Sequence, residues 1–173
     1  MPNLSALAPH EAPGKSRDIL EDIVGRHGSV GDMVATMAHS PALLQGYLDL
    51  SRAMRRVKIP RQLSEKISLA LQGRIGCGLC LAAHTEAGRA AGLTDTDIDL
   101  ARQGTATDAR EAALVAFAVR TLTEPASLTD ADVTALRAQG WSERVIAEIV
   151  GLVTLNLLTG AFNLVAGLKP EDC

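Results

Sequence analysis

The stretch GLTDTDI (residues 92–98) decides the fold class, because it marks the end of one helix and the start of the next. Its glycine can close the first helix, Thr94 can cap the second, and Asp97 approximates the acid of a capping box. Leu93 and Ile98 occupy the two positions of a hydrophobic staple. The pattern predicts two short helices joined by a tight turn.

Related patterns recur in LTDADV (residues 128–133) and, without the acid at the third position, in GWSERVI (residues 140–146). Ser40 and Pro41 add an N-cap followed by proline at the first helical position. A sustained alternation of apolar and polar residues, which would indicate strands, is found nowhere. The sequence therefore predicts an all-α fold, an antiparallel helical bundle.

Composition supports helices and argues against nucleic acid as a partner. Hydrophobic residues make up 47% of the 173-residue chain but aromatic residues only 2%, so the core is built from small aliphatic side chains. The net charge of −3 provides no basic surface, and there are few rings on which bases could stack. We expect an N-terminal arm over residues 1–16, which has three prolines and no secretory signal pattern, and a single domain over residues 17–173.

One uncharged stretch, residues 149–168, is long enough to span a bilayer. Glu148 directly precedes it, Asn156 and Asn163 lie within it, and no cluster of Lys or Arg flanks it. We therefore expect a buried helix at a subunit interface and no membrane span. The two asparagines could bond across that interface or line a pocket, and the interface is the favoured alternative. Such an apolar helix also makes a lone monomer improbable.

The segment GRIGCGLCLAAHTEAG (residues 73–88) holds two of the three cysteines. On a helix, Cys77, Cys80 and His84 fall within about 100° on one face. Gly76 and Gly78 flank the first cysteine and predict that one helix breaks there and another starts. A cysteine at a helix N-terminus is favoured as a thiolate by the unpaired N–H groups and the helix dipole.

Several chemistries could use such a pair. Covalent haem attachment needs histidine directly after the second cysteine, where Leu81 stands. A structural zinc site closes with four ligands, and Cys173 at the end of the chain is a poor fourth. A structural role, as two small buried side chains, stays open. In the reducing cytoplasm, which we expect as the location, a redox pair that needs no cofactor or metal is the best account.

Glu65 lies twelve residues before Cys77, and taken alone it would be a solvated or capping acid. Together with Cys77, Cys80 and His84 at this spacing, however, it resembles the signature of the alkylhydroperoxidase D family. That family belongs to the wider carboxymuconolactone decarboxylase-like superfamily. The likeness extends from about residue 40 to residue 163.

The resemblance implies an all-helical subunit that assembles as a homo-trimer or homo-hexamer and acts as an antioxidant peroxidase. It implies that Cys80 attacks the peroxide, that Cys77 resolves the product into a disulfide, and that His84 and Glu65 relay the proton. An external dithiol, which in the family can be a lipoyl-bearing protein, would restore the pair. One departure is Leu79, because the family carries a second histidine at that position.

Two other functions compete with this interpretation. In a non-enzymatic redox sensor or assembly module, disulfide formation would change a contact with a partner. A carboxymuconolactone-type decarboxylase is the other competitor, and the cysteine pair argues against it because that reaction has no use for two thiols.

The two halves of the chain also share a weak pattern. SEKI (residues 64–67) and SERV (residues 142–145) each open a long apolar helix. In that register the positions of the two cysteines and the histidine are taken by apolar residues, namely Leu155, Leu158 and Phe162. The pattern predicts reactive chemistry in the first half and packing in the second.

Overall fold

The computed structural model describes residues 1–170, and within that range it contains helices and no strand. Two short 3₁₀ turns, Pro9–Glu11 and Pro125–Ser127, accompany the α-helices. The α-helices of the described chain are α1 Lys15–His27, α2 Asp32–Met37, α3 Pro41–Met54, α4 Arg61–Ile75, α5 Gly78–Ala90, α6 Asp95–Arg102, α7 Ala109–Thr123, α8 Asp130–Ala138 and α9 Glu143–Ala166. The all-α prediction is confirmed.

The helix starts lie where the capping patterns placed them. The Thr94 hydroxyl accepts the Asp97 backbone N–H at 3.1 Å, and the Asp97 carboxylate accepts the Thr94 N–H at 3.0 Å. At α8 the Thr129 N–H donates to the Asp132 carboxylate at 2.8 Å. Ser142 caps α9 without an acid partner, as its sequence predicted. Local side-chain chemistry therefore sets these boundaries.

Helix α4 is the centre of the bundle, because it packs against α5, α6, α7 and α9. Leu63, Ile67, Ala70 and Leu71 of α4 have no exposed surface and belong to the main apolar core. Burying each of the large side chains stabilises the fold by about 1.5–3 kcal/mol. A helix enclosed on so many sides can carry polar side chains into a dry interior.

Helix α9 is, by length and composition alone, long and apolar enough to cross a membrane. It nevertheless packs against α3, α4 and α7, and Ile149 and Leu152 belong to the main core. The expectation that Asn156 and Asn163 bond across a subunit interface is wrong: both are 4% exposed and bond inside their own chain. The reason is that α9 turns its asparagines toward α4 and α5.

Residues 1–16, expected to form an N-terminal arm, pack against their own chain. The Asn3 N–H donates to the Ala166 carbonyl at 2.8 Å, and the Leu7 N–H donates to the Ala35 carbonyl. Ala12 is fully buried, and α1 begins at Lys15, before the expected boundary. Leu7 and Ala12 of this segment thus find cover in the same chain.

Candidate active site

The cysteine pair lies at the break between α4 and α5. Helix α4 ends at Ile75, and Gly76 follows with a φ of +81°, a left-handed conformation that favours glycine. Cys77 is the N-cap of α5, and its Sγ accepts the backbone N–H of Cys80 at 3.2 Å. The predicted helix break and the position of Cys77 at a helix N-terminus are therefore confirmed.

The two cysteines are joined in a disulfide, with their Cα atoms 5.3 Å apart. Cys77 is 1% exposed and Cys80 is 6% exposed, so both sulfurs are shielded and Cys80 is the more accessible. Both lie at the positive end of the α5 dipole, which favours the thiolate form when the pair is reduced. The site thus combines a shielded disulfide with an electropositive helix end.

His84 lies one turn after Cys80 on α5, and its Nδ1 is 2.8 Å from the Glu65 Oε2. Glu65 comes from α4, nineteen residues earlier, and its side chain is 5% exposed. The other carboxylate oxygen, Oε1, lies 2.6 Å from the Nε of Arg61. The contact between α4 and α5 therefore brings the acid to the histidine, which the spacing alone could not show.

The charge state of Glu65 follows from opposing effects. Burial raises the pKa of Glu65, but the hydrogen bond and charge of His84, with those of Arg61, lower it, and the pKa lies below its ordinary value of 4.5. The carboxylate is therefore ionised near neutral pH. It can hold the Nδ1–H of His84, which leaves Nε2 as the basic nitrogen.

Asn163 also belongs to the site, although the sequence interpretation placed it at a subunit interface. Its Nδ2 donates to the Cys80 Sγ at 3.3 Å and lies 4.0 Å from the Cys77 Sγ. Its Oδ1 is buried without a hydrogen-bond partner among the described residues. The signal that could have found it is a polar residue inside an otherwise apolar helix, which needs a partner when buried.

A close helix contact lets Asn163 reach the sulfurs. A Cβ placed on Gly160 would lie 2.6 Å from the Gln72 Oε1 and 2.8 Å from the Ile75 Cγ2. The Gln72 Nε2 in turn donates to the side-chain and backbone oxygens of Asn156, at 2.9 and 3.0 Å. Glycine at position 160 thus allows α9 to approach the end of α4, beside the disulfide.

A cavity of about 370 Å³ opens beside the acid and the histidine. Glu65, His84, Ser68 and Asn156 are among its polar lining groups. Its apolar lining comes from Tyr47, Met54, Val57, Ile59, Leu152 and Leu155. The cavity can therefore accept an organic molecule next to the imidazole.

Leu79 lines a different cavity, with Met33, Val34 and Leu168. The position that carries a second histidine in the resembled family is thus directed away from the Glu65–His84 cavity. Within residues 1–170, no three His, Cys, Asp or Glu side chains are grouped so that they could hold a metal ion. Cys173 lies outside the described residues.

Residues 41–121 match the Carboxymuconolactone decarboxylase family. This range includes the helix break, both cysteines, Glu65 and His84. This segment, a little under half of the chain, is similar to that family. The match agrees with the superfamily resemblance seen in the sequence, and the roles of the individual residues stay predictions.

Solved structures show the same fold over nearly the whole chain. An uncharacterized peroxidase-related protein from Ralstonia eutropha JMP134, with an alkylhydroperoxidase AhpD core, has 19% identity and a TM-score of 0.82 over 99% of this chain and 93% of its own. A peroxidase-related protein from Silicibacter sp. TM1040 has 19% identity and a TM-score of 0.79, over 98% and 93%. The debrominase Bmp8 has 20% identity and a TM-score of 0.76, over 98% and 92%, and is also solved in complex with 2,3,4-tribromopyrrole. No match was found among curated proteins.

Proposed function

We propose that the protein is a dithiol peroxidase of the reducing cytoplasm that takes part in antioxidant defence. The observation that carries the proposal is the Cys77–Cys80 disulfide at the start of α5, one helical turn from the His84–Glu65 pair. A nucleophile close to a base, which a third group orients, is the arrangement that activates a thiol.

In the first step His84 accepts the thiol proton of Cys80 through Nε2, while Glu65 holds the protonated imidazole. The Cys80 thiolate attacks one oxygen of the peroxide and the O–O bond breaks. The leaving oxygen takes the proton from His84 and departs as an alcohol or, from hydrogen peroxide, as water. Cys80 is left as a sulfenic acid, oxidised by two electrons.

In the second step the Cys77 sulfur attacks the Cys80 sulfenic acid. The S–O bond breaks, water leaves with the Cys77 proton, and the disulfide forms. An external dithiol then transfers two electrons by thiol–disulfide exchange and becomes a disulfide itself. A lipoyl group, attached to a carrier protein, is a dithiol of the required kind.

The cavity favours an organic hydroperoxide over hydrogen peroxide as the substrate. Hydrogen peroxide needs little more room than water, whereas the cavity of about 370 Å³ combines apolar side chains with polar ones that include Arg55 and Arg61. Apolar lining combined with polar groups that fix orientation is typical of small-molecule sites. We expect the alkyl chain to lie along Met54, Ile59 and Leu155.

Reductive dehalogenation is a second candidate, because the same cavity could hold a halogenated ring and one structural neighbour is a debrominase. Here the reduced Cys77–Cys80 pair would supply two electrons to a carbon–halogen bond. Halide would leave, a proton would take its place on carbon, and the same disulfide would form. No oxygen–oxygen bond is needed.

We also propose that the protein assembles as a homo-trimer or homo-hexamer through α9. Val150, Leu157 and Leu164 are 46–48% exposed and follow each other at seven-residue spacing along this helix. Such a repeat forms one apolar stripe suited to pairing with another helix. Light scattering should give a mass at least three times that of one chain. Leu157→Lys, which places a charge in the stripe, should lower the measured mass. A monomeric parent protein would contradict the proposal.

The test of function is the consumption of cumene hydroperoxide by reduced protein with excess dihydrolipoamide. Many turnovers are expected for the parent and the Cys173→Ser control, and none for Cys80→Ser. In the absence of the dithiol, Cys77→Ser should react once and keep a sulfenic acid, detected by intact mass. When reductant runs out, the parent should hold a Cys77–Cys80 disulfide.

Other outcomes separate the alternatives. Oxidation that occurs once and persists despite the dithiol would favour a redox sensor or assembly module. Bromide release from a brominated pyrrole, without peroxide consumption, would favour dehalogenation. Turnover of a muconolactone by the Cys77→Ser/Cys80→Ser variant would favour a decarboxylase.

A further inference from the structure

The helix start by itself does not explain why Cys80 should be the reactive thiol. Cys77 is the N-cap, and its sulfur accepts a backbone N–H at 3.2 Å. Hydrogen bonds donated to a sulfur favour its charged form. The cap alone would therefore favour Cys77 as the thiolate, so another donor must act on Cys80.

Asn163 is that donor in the described chain. Its Nδ2 lies 3.3 Å from the Cys80 Sγ but 4.0 Å from the Cys77 Sγ, so the contact with Cys80 is the stronger one. The asparagine is 4% exposed and comes from α9, which contributes no charged residue between Glu148 and Lys169. A hydrogen bond to a charged group is strong in such a dry environment.

We propose that Asn163 is a catalytic residue, whose side-chain N–H makes Cys80, rather than the capping Cys77, the reactive thiolate. Its role in the reaction rate rests on the proposed peroxidase function, while its effect on the two thiols does not. The carbonyl end of the amide supports the same assignment. Oδ1 is buried and makes no hydrogen bond among the described residues, so the bonds from Nδ2 to the sulfurs are those that orient the amide.

Replacing Asn163 does not alter the other titratable side chains near the two cysteines. His84 is on the same helix as the cysteines, and Glu65 and Arg61 lie on α4. From α6, Arg102 reaches α5 at Thr85. A shift in thiol ionisation on replacing Asn163 can therefore be assigned to the amide, provided that the fold is retained.

The test measures the pH dependence of iodoacetamide alkylation for each thiol alone. A Cys77→Ser/Cys173→Ser protein reports Cys80, and a Cys80→Ser/Cys173→Ser protein reports Cys77. Adding Asn163→Leu should raise the Cys80 midpoint by about one pH unit, a tenfold loss of thiolate at a given pH. The Cys77 midpoint should stay the same or fall.

Two results would overturn the proposal. An unmoved Cys80 midpoint would show that the amide does not hold the thiolate. An equal rise for both cysteines would show only a change in the polarity of the site. Thr154→Ala is the control on the same helix, because the Thr154 hydroxyl donates to the Val150 carbonyl and does not line the cavity, and it should leave both midpoints in place.

A measurement on the parent protein covers the case in which Asn163→Leu fails to fold. In the reduced form, the side-chain amide resonances of Asn163 should titrate with the midpoint found for Cys80 alkylation. Resonances that do not follow this titration would overturn the proposal. Neither experiment needs peroxide, so failure of the proposed peroxidase activity would be seen separately.

If the peroxidase function holds, the rate gives a further readout. Asn163→Leu should lower the peroxidase rate about tenfold near neutral pH, and the rate should recover as the pH is raised. A merely structural loss would lower it at every pH.

Discussion

Two segments of the chain share a similar sequence near their start but differ in what they contribute. They are the segment from Arg61 to Ala90 and the segment from Glu143 to Ala166. In the first, the helix breaks at Gly76, whose φ is +81°, and restarts at Gly78. In the second, the corresponding position is Thr154, and α9 continues through it. A cysteine can become an N-cap only where a helix starts, so the break creates the site.

The acids at the start of the two segments show the same contrast. The Glu65 side chain is 5% exposed and bonds His84, whereas that of Glu143 is 78% exposed and pairs with Arg137. Packing against α5 gives the first acid a role in the interior. The second remains a surface residue, and α9 instead contributes Asn163 to the partner segment.

Replacing the two acids should give the largest difference between the segments. Glu65→Gln removes the charge that holds the His84 imidazolium, and we expect peroxidase activity to fall about 100-fold or more. Glu143→Gln should leave the activity within about twofold, because exposed ion pairs contribute little. Steady-state rates with a dithiol check this, and equal losses would contradict the assignment of Glu65.

The close approach of α9 to α4 can be tested at Gly160. Gly160→Ala should lower the free energy of unfolding by about 1–3 kcal/mol, because the new methyl group overlaps Gln72 and Ile75. The control is Gly46→Ala in α3, where a Cβ meets nothing within 4 Å and about 0.4–1 kcal/mol of stabilisation is expected. Urea denaturation measures both, and equal effects would show that the contact has no steric cost.

The helix break itself can be tested by comparing positions 76 and 154. Gly76→Ala places a side chain in a left-handed conformation and should lower the unfolding free energy by about 1–2 kcal/mol. Thr154→Ala, on the exposed face of α9, should change it by less than about 0.5 kcal/mol. If both variants unfold at the parent's urea midpoint, the backbone at Gly76 is not needed for stability.

The smallest expected effect is the pH dependence contributed by Glu65. Burial raises the pKa of Glu65, but the hydrogen bonds and charges of His84 and Arg61 together lower it by more. The pKa therefore lies below its ordinary value of 4.5. Its contribution to stability is thus fully present above about pH 4.5 and is lost as the pH falls through the folded-state pKa. Between pH 5 and 2, unfolding free energies should fall more steeply for the parent than for Glu65→Gln; parallel curves would contradict this.

Much of the fold could be predicted from local sequence. Thr94, Thr129 and Ser142 start helices in the structure because their capping bonds involve residues only three positions away. The face shared by Cys77, Cys80 and His84 follows from helical spacing alone. The exposure of Val150, Leu157 and Leu164 and the burial of Asn156 on the same helix could not be predicted, because both depend on which neighbours cover α9.

The sequence by itself determined the helical class, the helix break at Gly76 and the position of Cys77 as a cap, since these depend on backbone conformation and short-range bonds. Only the tertiary structure decided that Glu65 of α4 contacts His84 of α5, and that Asn163 contacts Cys80 although the two are 83 positions apart in the sequence. Such contacts depend on how closely α9 and α5 pack on α4, and no local pattern encodes that distance.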